Sequence, residues 1–440
     1  MYVDKAGRSH ASLRGGARRA RAPRVGRNLL AMIAWQIGNY LLPLATFPYL
    51  TRVLGPSSFG ILGYASAIAI YGGLWTDWGF NLSGPRAVVG CRGEKAAIND
   101  LIWSVTSAKG VLCLISLLAL ALAVHIGLIA ADAFPIVLMS WLAVLSNVFT
   151  LNWVLQGLER FSLFATVSLL GRFATLPLTF IFVKTADDIA VAALIQSSAA
   201  CVSGALSLVM VRKLGMLGRP RCAWRSAAKR IAEGADMFLS TASVSLFGAT
   251  NMVILGALCG PYQVGLYVAA DRIKTAGNML PAQINTVLYP RVSTLMLETP
   301  KAAARVTTLA ACATLGITGL GVVVVSLLSS FVTGKVLGQG FDAAAPVLKV
   351  LCFATIFGNL AYLLGLQVLV PFSQAKVRSF VMFSGGLLNI GVSLFTIPRF
   401  GAMGAACAFA VAEAVILGTF VLVIVGSPRM RAHFTQITEA

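Results

Sequence analysis

Acidic residues are scarce in this chain: 15 Asp and Glu in 440 residues, against 35 Lys and Arg. Histidine is scarcer still. His10, His125 and His433 lie far apart and outside the apolar runs, which leaves no metal ligand set and no histidine-based catalytic constellation. The eight cysteines are scattered without a Cys-x-x-Cys spacing, so neither a metal site nor a disulfide framework is indicated. Most of them fall inside apolar runs, where a free thiol acts as a small hydrophobe. No phosphate-cradling Gly-Lys motif occurs, which excludes nucleotide hydrolysis by that device. No cofactor is expected.

Charge of either sign makes up only 11% of the residues, and 58% are hydrophobic, too apolar for a soluble protein of this length. Apolar runs of about 20 residues, each able to cross about 30 Å of hydrocarbon, recur along the chain. Twelve are read, at 29–50, 59–80, 101–124, 134–155, 161–183, 189–211, 237–259, 262–289, 306–332, 347–370, 377–397 and 403–425. An all-α integral membrane protein follows, because open sheet edges cannot be left in lipid.

A net charge of +20 invites a nucleic-acid reading, but its distribution argues against one. When loops alternate with the N-terminus inside, and Arg378 at the edge of its span is counted with the loop before it, 26 of the 35 Lys and Arg fall in inside segments, four outside and five within spans. That asymmetry places both termini in the cytoplasm. The basic arm 1–27 precedes a full-length span without a small-residue cleavage site, so it reads as leading into an uncleaved first helix. Orientation signal and lipid-headgroup contact both remain open as its role.

The longest polar interruption, 212–236, divides the spans six and six. The expected units are the arm 1–27, a bundle 28–211, a cytoplasmic linker 212–236, a bundle 237–425 and a cytoplasmic tail 426–440. Gly55-Pro56 with Gly60 in one half matches Gly260-Pro261 with Gly265 in the other, offset by 205 residues. Two parallel repeats enclosing a central cavity follow. Gln36, Asn39, Pro43 and Thr46 share one helix face, and Ser240, Ser243, Thr250 and Asn251 form the corresponding stripe. Such stripes either bond helix to helix or line the cavity. Pro43, Pro48 and Pro281 would interrupt the helical ladder and permit bending. Ser197, Cys201 and Ala205 form a small-residue ridge suited to close packing.

Five cations sit inside spans: Lys109, Arg172, Arg272, Lys274 and Lys349. Each costs about 2.5–3.5 kcal/mol near the bilayer centre on insertion scales, so such groups usually face water or a bound anion. Only Asp77, Asp271 and Glu413 oppose them, which leaves the membrane interior positive and suited to passing something anionic. Asp271 and Lys274 can pair along their helix. Arg272 is then without a local partner, and either bonds a neighbouring helix or meets a phosphate, for which its planar fork is suited. Arg172, central in its span, either lines the cavity or bonds within the bundle. Lys109 and Lys349 lie nearer span ends and are expected to snorkel. Glu413, Asp271 and Asp77 are the candidates for ion coupling, Glu413 either as a proton carrier or as a counter-charge.

The segment Asp77-Trp78-Gly79-Phe80-Asn81-Leu82-Ser83-Gly84-Pro85-Arg86 resembles one that follows the second span in Wzx-type polysaccharide flippases. Tyr49 to Pro56 with Phe59-Gly60, Tyr289-Pro290-Arg291, and Phe400 to Ala406 are also similar to that family. The resemblance covers essentially the whole chain. It implies a MATE-like fold of two six-helix bundles in the bacterial inner membrane, in the superfamily that also holds multidrug exporters and the lipid II flippase. It implies a monomeric flippase of undecaprenyl-diphosphate-linked oligosaccharide repeat units for O-antigen or exopolysaccharide, working beside a polysaccharide polymerase and co-polymerase. Arg272, Arg172, Lys274, Gln36, Asn39 and Asn251 would then contact substrate. A multidrug antiporter is the runner-up, though its usual cationic substrates favour acidic cavities. A membrane glycan polymerase or ligase is disfavoured by the short outer loops.

Overall fold

A computed structural model describes residues 10–129, 133–220 and 224–435, and the described residues are helical throughout with no strand. The elements are α1 (His10–Asp77), α2 (Phe80–Gly90), α3 (Lys95–His125), α4 (Phe134–Phe149), α5 (Asn152–Gly157), α6 (Phe161–Phe182) and α7 (Ile189–Lys213). They continue with α8 (Trp224–Cys259), α9 (Pro261–Gly277), α10 (Met279–Glu298), α11 (Pro300–Phe331), α12 (Ala344–Leu364), α13 (Ala375–Gly426) and α14 (Pro428–Thr435). Among the described residues, eight helical stretches are long and apolar enough to cross a membrane. Two of these are double: α1 is two helices meeting at Gly55, and α13 two meeting at Gly401. Many large apolar side chains face outward, as lipid-facing helices require.

One group of helices packs α1 with α4 and α6, and α7 with α4 and α6. A second packs α12 with α9, α11 and α13, and α13 with α8. The two groups meet chiefly where α1 lies against α8 and α9, and α3 against α8. The Gly-Pro turns explain one end of this junction. Gly55 (φ 69°, ψ 174°) and Gly260 (φ 79°, ψ 175°) share a backbone geometry that disfavours any side chain. Five residues on, Gly60 and Gly265 cross each other. A Cβ on Gly60 would strike the Pro261 carbonyl, and one on Gly265 the Pro56 carbonyl. Arg52 Nη2 donates to the Lys335 carbonyl nearby (2.5 Å), and Phe59 meets Phe341 edge-on. Gly60→Val is therefore expected to force this end apart at a cost of about 1–3 kcal/mol, as overpacking does. Thermal melting in detergent checks it, and an unchanged midpoint would mean the crossing does not form.

The opposite end is joined by the segment after α1. Gly79 turns with φ 77°, Phe80 is buried, and Trp78 stacks on Phe238 of α8 at 4.1 Å. The Trp78 indole also donates to the Ile231 carbonyl (2.8 Å). The expected proline interruptions take two forms. α1 runs through Pro43 and Pro48, with the Thr46 and Thr51 hydroxyls donating to those prolines' own carbonyls at 3.1 Å. Near Pro281 the chain does break, but at Asn278, so that Pro281 sits in the first turn of α10, where a missing N–H is harmless.

Candidate functional site

A cavity of three adjoining chambers opens between the two helix groups, the first two lined by both groups and the third walled by α1, α4 and α7 of the first group alone. The first, about 470 Å³, is walled by both halves of α1 and by α6, α8 and α9. Its polar side chains include Asn39, Ser66, Arg172, Asp271, Arg272 and Thr275. The second, about 210 Å³, shares Pro43, Phe47, Arg172 and Arg272 with the first and adds Thr46, Thr175 and Gln196. The third, about 230 Å³, shares Ser66 and Ile70 with the first and Gln196 with the second.

Arg172 and Arg272 reach the cavity from opposite helix groups and line the same two chambers. Among the described residues, neither guanidinium has an ion pair or a hydrogen bond. Asp271, next in sequence to Arg272, instead binds Lys274 at 2.6 Å, as its three-residue spacing allows. Lys274 turns away from the cavity wall and lies over the Phe409 ring at 4.2 Å. The helix's one acid thus bonds the lysine behind the wall, and it acts on the arginine in front only by Coulomb attraction, without a hydrogen bond. Two cations facing one space repel each other, and a desolvated anion would relieve both.

Asn251 was expected on the cavity face, and here the structure corrects the sequence. It is fully buried among α8, α9 and α13, with its amide donating to the Tyr267 hydroxyl (3.2 Å) and the Ala405 carbonyl (3.3 Å). Its own oxygen accepts from Asn389 (3.0 Å) and Ser393 (2.9 Å). Partners as distant in sequence as these cannot be seen from a one-helix stripe. Thr250, beside it, bonds the Tyr71 hydroxyl. The side chains of Ser240 and Ser243 lie outside the described residues. Asn39 does line the first chamber, whereas Gln36, one turn earlier, is half-buried on α1 and is not part of the wall. Lys109 is also corrected. It does not snorkel but is 1% exposed, bonded to Asp77 (3.1 Å) and to Asn147 Oδ1 (3.0 Å). Lys349 is exposed.

The chain matches the family described as "Polysaccharide biosynthesis protein" over residues 25–296. It is 31% identical over 401 residues to an Escherichia coli (strain K12) protein whose name provisionally assigns it to O-antigen transport. That match covers 90% of this chain and 96% of the relative. The chain belongs to the polysaccharide biosynthesis protein family. A second relative, from Shigella dysenteriae and named in the same way, is 25% identical over 398 residues, covering 89% of this chain and 98% of its own length. In fold, the family member resembles the lipid II flippase MurJ in an inward closed conformation. The TM-score is 0.74 at 13% identity, covering 93% of this chain and 90% of that one. An inward-facing MATE family multidrug transporter gives 0.64 at 14% identity, covering 93% and 99%.

Glu413 lies away from the cavity, in a separate pocket of about 220 Å³ with Asn278, Thr355, Asn359 and Tyr362. Asn359 bridges Asn278 Oδ1 (3.1 Å) and Thr318 Oγ1 (3.2 Å), and a Cβ on Gly358 would come within 3.0 Å of the Glu413 carboxyl. Among the described residues Glu413 has no ion pair or hydrogen bond. Gln196, like Ser66, Thr175 and Thr275, is a cavity residue that the sequence reading missed. A lone amide in an apolar helix was its signal, overshadowed by the small-residue ridge beside it. That ridge does pack closely: the Ser197 hydroxyl reaches the Ser140 carbonyl (3.5 Å), and Cys201 approaches the Leu142 carbonyl (3.9 Å).

Proposed function

We propose that the chain is a flippase that moves polyprenyl-diphosphate-linked oligosaccharides from the cytoplasmic to the periplasmic leaflet of the bacterial inner membrane. The observation that carries this reading is the pair of guanidiniums, Arg172 and Arg272, which face one cavity from opposite helix groups and have no ion pair or hydrogen bond among the described residues. A diphosphate left in hydrocarbon costs tens of kcal/mol by Born estimates, so such a site lowers the barrier while the polyprenyl tail stays in lipid. The names of the relatives and the family membership support the same substrate class. In this reading Asn39 is a further contact, and Asp271 with Lys274 sets the charge presented by Arg272.

Twelve spans in two six-helix bundles, with both termini in the cytoplasm, belong to the proposal. The matched Gly-Pro geometry and the charge asymmetry support it, and the Gly-Pro crossing then closes the periplasmic end. Reporter fusions are expected to place 212–236 in the cytoplasm and 333–345 outside. A periplasmic signal from 212–236 would overturn the map. The function is tested by accumulation of lipid-linked repeat units in a deletion strain, relieved by this chain and not by Arg272→Ala. The polymerase and co-polymerase that consume the product are the natural partners of a monomeric flippase.

Coupling falls to Glu413, a carboxylate with no ion pair or hydrogen bond among the described residues, in a polar pocket inside the second helix group. Glu413→Gln keeps its shape and removes its titration. Transport into proteoliposomes by the mutant is expected to lose its response to an imposed pH gradient while downhill movement persists. A mutant that follows the gradient as the wild type does would make Glu413 structural.

A further inference from the structure

The third chamber differs in chemistry from the other two. None of its lining residues is ionisable; the polar ones are Ser66, Ser140, Gln196 and Ser197, set among small apolar side chains. Gln196 stands on the wall between this chamber and the one that holds Arg172 and Arg272. Its side chain is exposed and, among the described residues, has no hydrogen-bond partner. An amide offers two donors and an acceptor, and on an exposed side chain all of them are open to a ligand in the cavity. The Ser66 hydroxyl donates to the Leu62 carbonyl (2.8 Å), which leaves its oxygen as an acceptor toward the cavity.

We infer that this chamber receives the sugar adjoining the diphosphate, that this sugar is uncharged, and that Gln196 recognises it. The inference rests on the flippase reading of the Arg172–Arg272 site. Three facts meet in it. The chamber shares a wall with the two arginines, so a group bonded to a phosphate held there can reach it. Its neutral donors and acceptors suit hydroxyl and acetamido groups. A uronate carboxylate placed in it would lack a cation and carry a large desolvation cost.

The test is a set of binding titrations on the full chain in lipid nanodiscs. The probes are undecaprenyl diphosphate, its adduct with one N-acetylhexosamine, and its adduct with one hexuronate. Wild type is expected to bind the N-acetylhexosamine adduct about tenfold more tightly than bare undecaprenyl diphosphate, as one or two well-placed hydrogen bonds give. Gln196→Leu is expected to erase that difference, weakening the sugar-bearing lipid more than the bare one. Gly73→Leu, which fills the chamber from α1 at a position where an added Cβ meets nothing within 4 Å, is expected to do the same. Arg272→Ala weakens both. Equal wild-type affinity for bare and sugar-bearing lipid would overturn the inference. So would equal weakening of both by Gln196→Leu, no change in either, or preference for the hexuronate. Wild type binding neither lipid would instead overturn the flippase reading itself, since Arg272→Ala would then have no affinity to remove.

Discussion

Arg272→Ala is expected to lower transport of lipid-linked repeat units roughly 10- to 100-fold, the worth of a charge-assisted hydrogen bond of about 1.5–3 kcal/mol. The mutant should insert and melt as the wild type does, because Arg272 gives no hydrogen bond or ion pair to the described structure. Arg272→Lys should fall between the two, keeping the charge and losing the fork. Lys349→Ala is the control: that lysine is exposed on α12 and is not part of the cavity wall. The readout is polymer output in a complemented deletion strain, with membrane abundance measured alongside. Near-wild-type output from Arg272→Ala at normal abundance would remove the arginine from the site.

The second large effect is on stability. Asp77→Ala leaves the Lys109 ammonium 1% exposed and charged, with Asn147 as its remaining partner. Breaking a buried pair on one side costs about 3–5 kcal/mol, whereas replacing both members by apolar groups is often neutral. Asp77→Ala should therefore melt well below wild type, and Asp77→Ala with Lys109→Met should recover most of the loss. Failure of the double mutant to recover would show that the pair does more than neutralise itself. A double mutant that is stable yet inactive would return Asp77 to the candidates for coupling. Ion coupling through Asp77 is otherwise hard to reconcile with a lysine already occupying its carboxylate.

The class of protein, the Gly-Pro repeat and the Asp271–Lys274 pair were legible because each depends on residues close in sequence or on average composition. Whether a polar helical stripe meets a cavity or another helix was not legible. Asn39 and Asn251 make the same kind of pattern, yet one lines the cavity and the other is enclosed by residues more than a hundred positions away. Lys109 failed for a related reason. Its distance from a span end suggested an escape to the interface, but a carboxylate from another helix supplied a cheaper solution. Gln196 went unread because a single amide carries no periodicity. Its role rests on the two chambers that it separates.

The crossing of Gly60 with Gly265 has a kinetic consequence. Interlocked side chains must leave their sockets before two helices can part, and each such release adds to the barrier. Here the contact is carbonyl against bare Cα, so little has to rotate out of the way. What opposes separation is the shallow dispersion of backbone on backbone, with peripheral ties such as Arg52 to the Lys335 carbonyl and Phe59 to Phe341. A joint of this kind fits tightly when shut and still comes apart quickly. Its opening rate should therefore be governed by those outlying ties, and loosening Arg52 should speed it without disturbing the glycines.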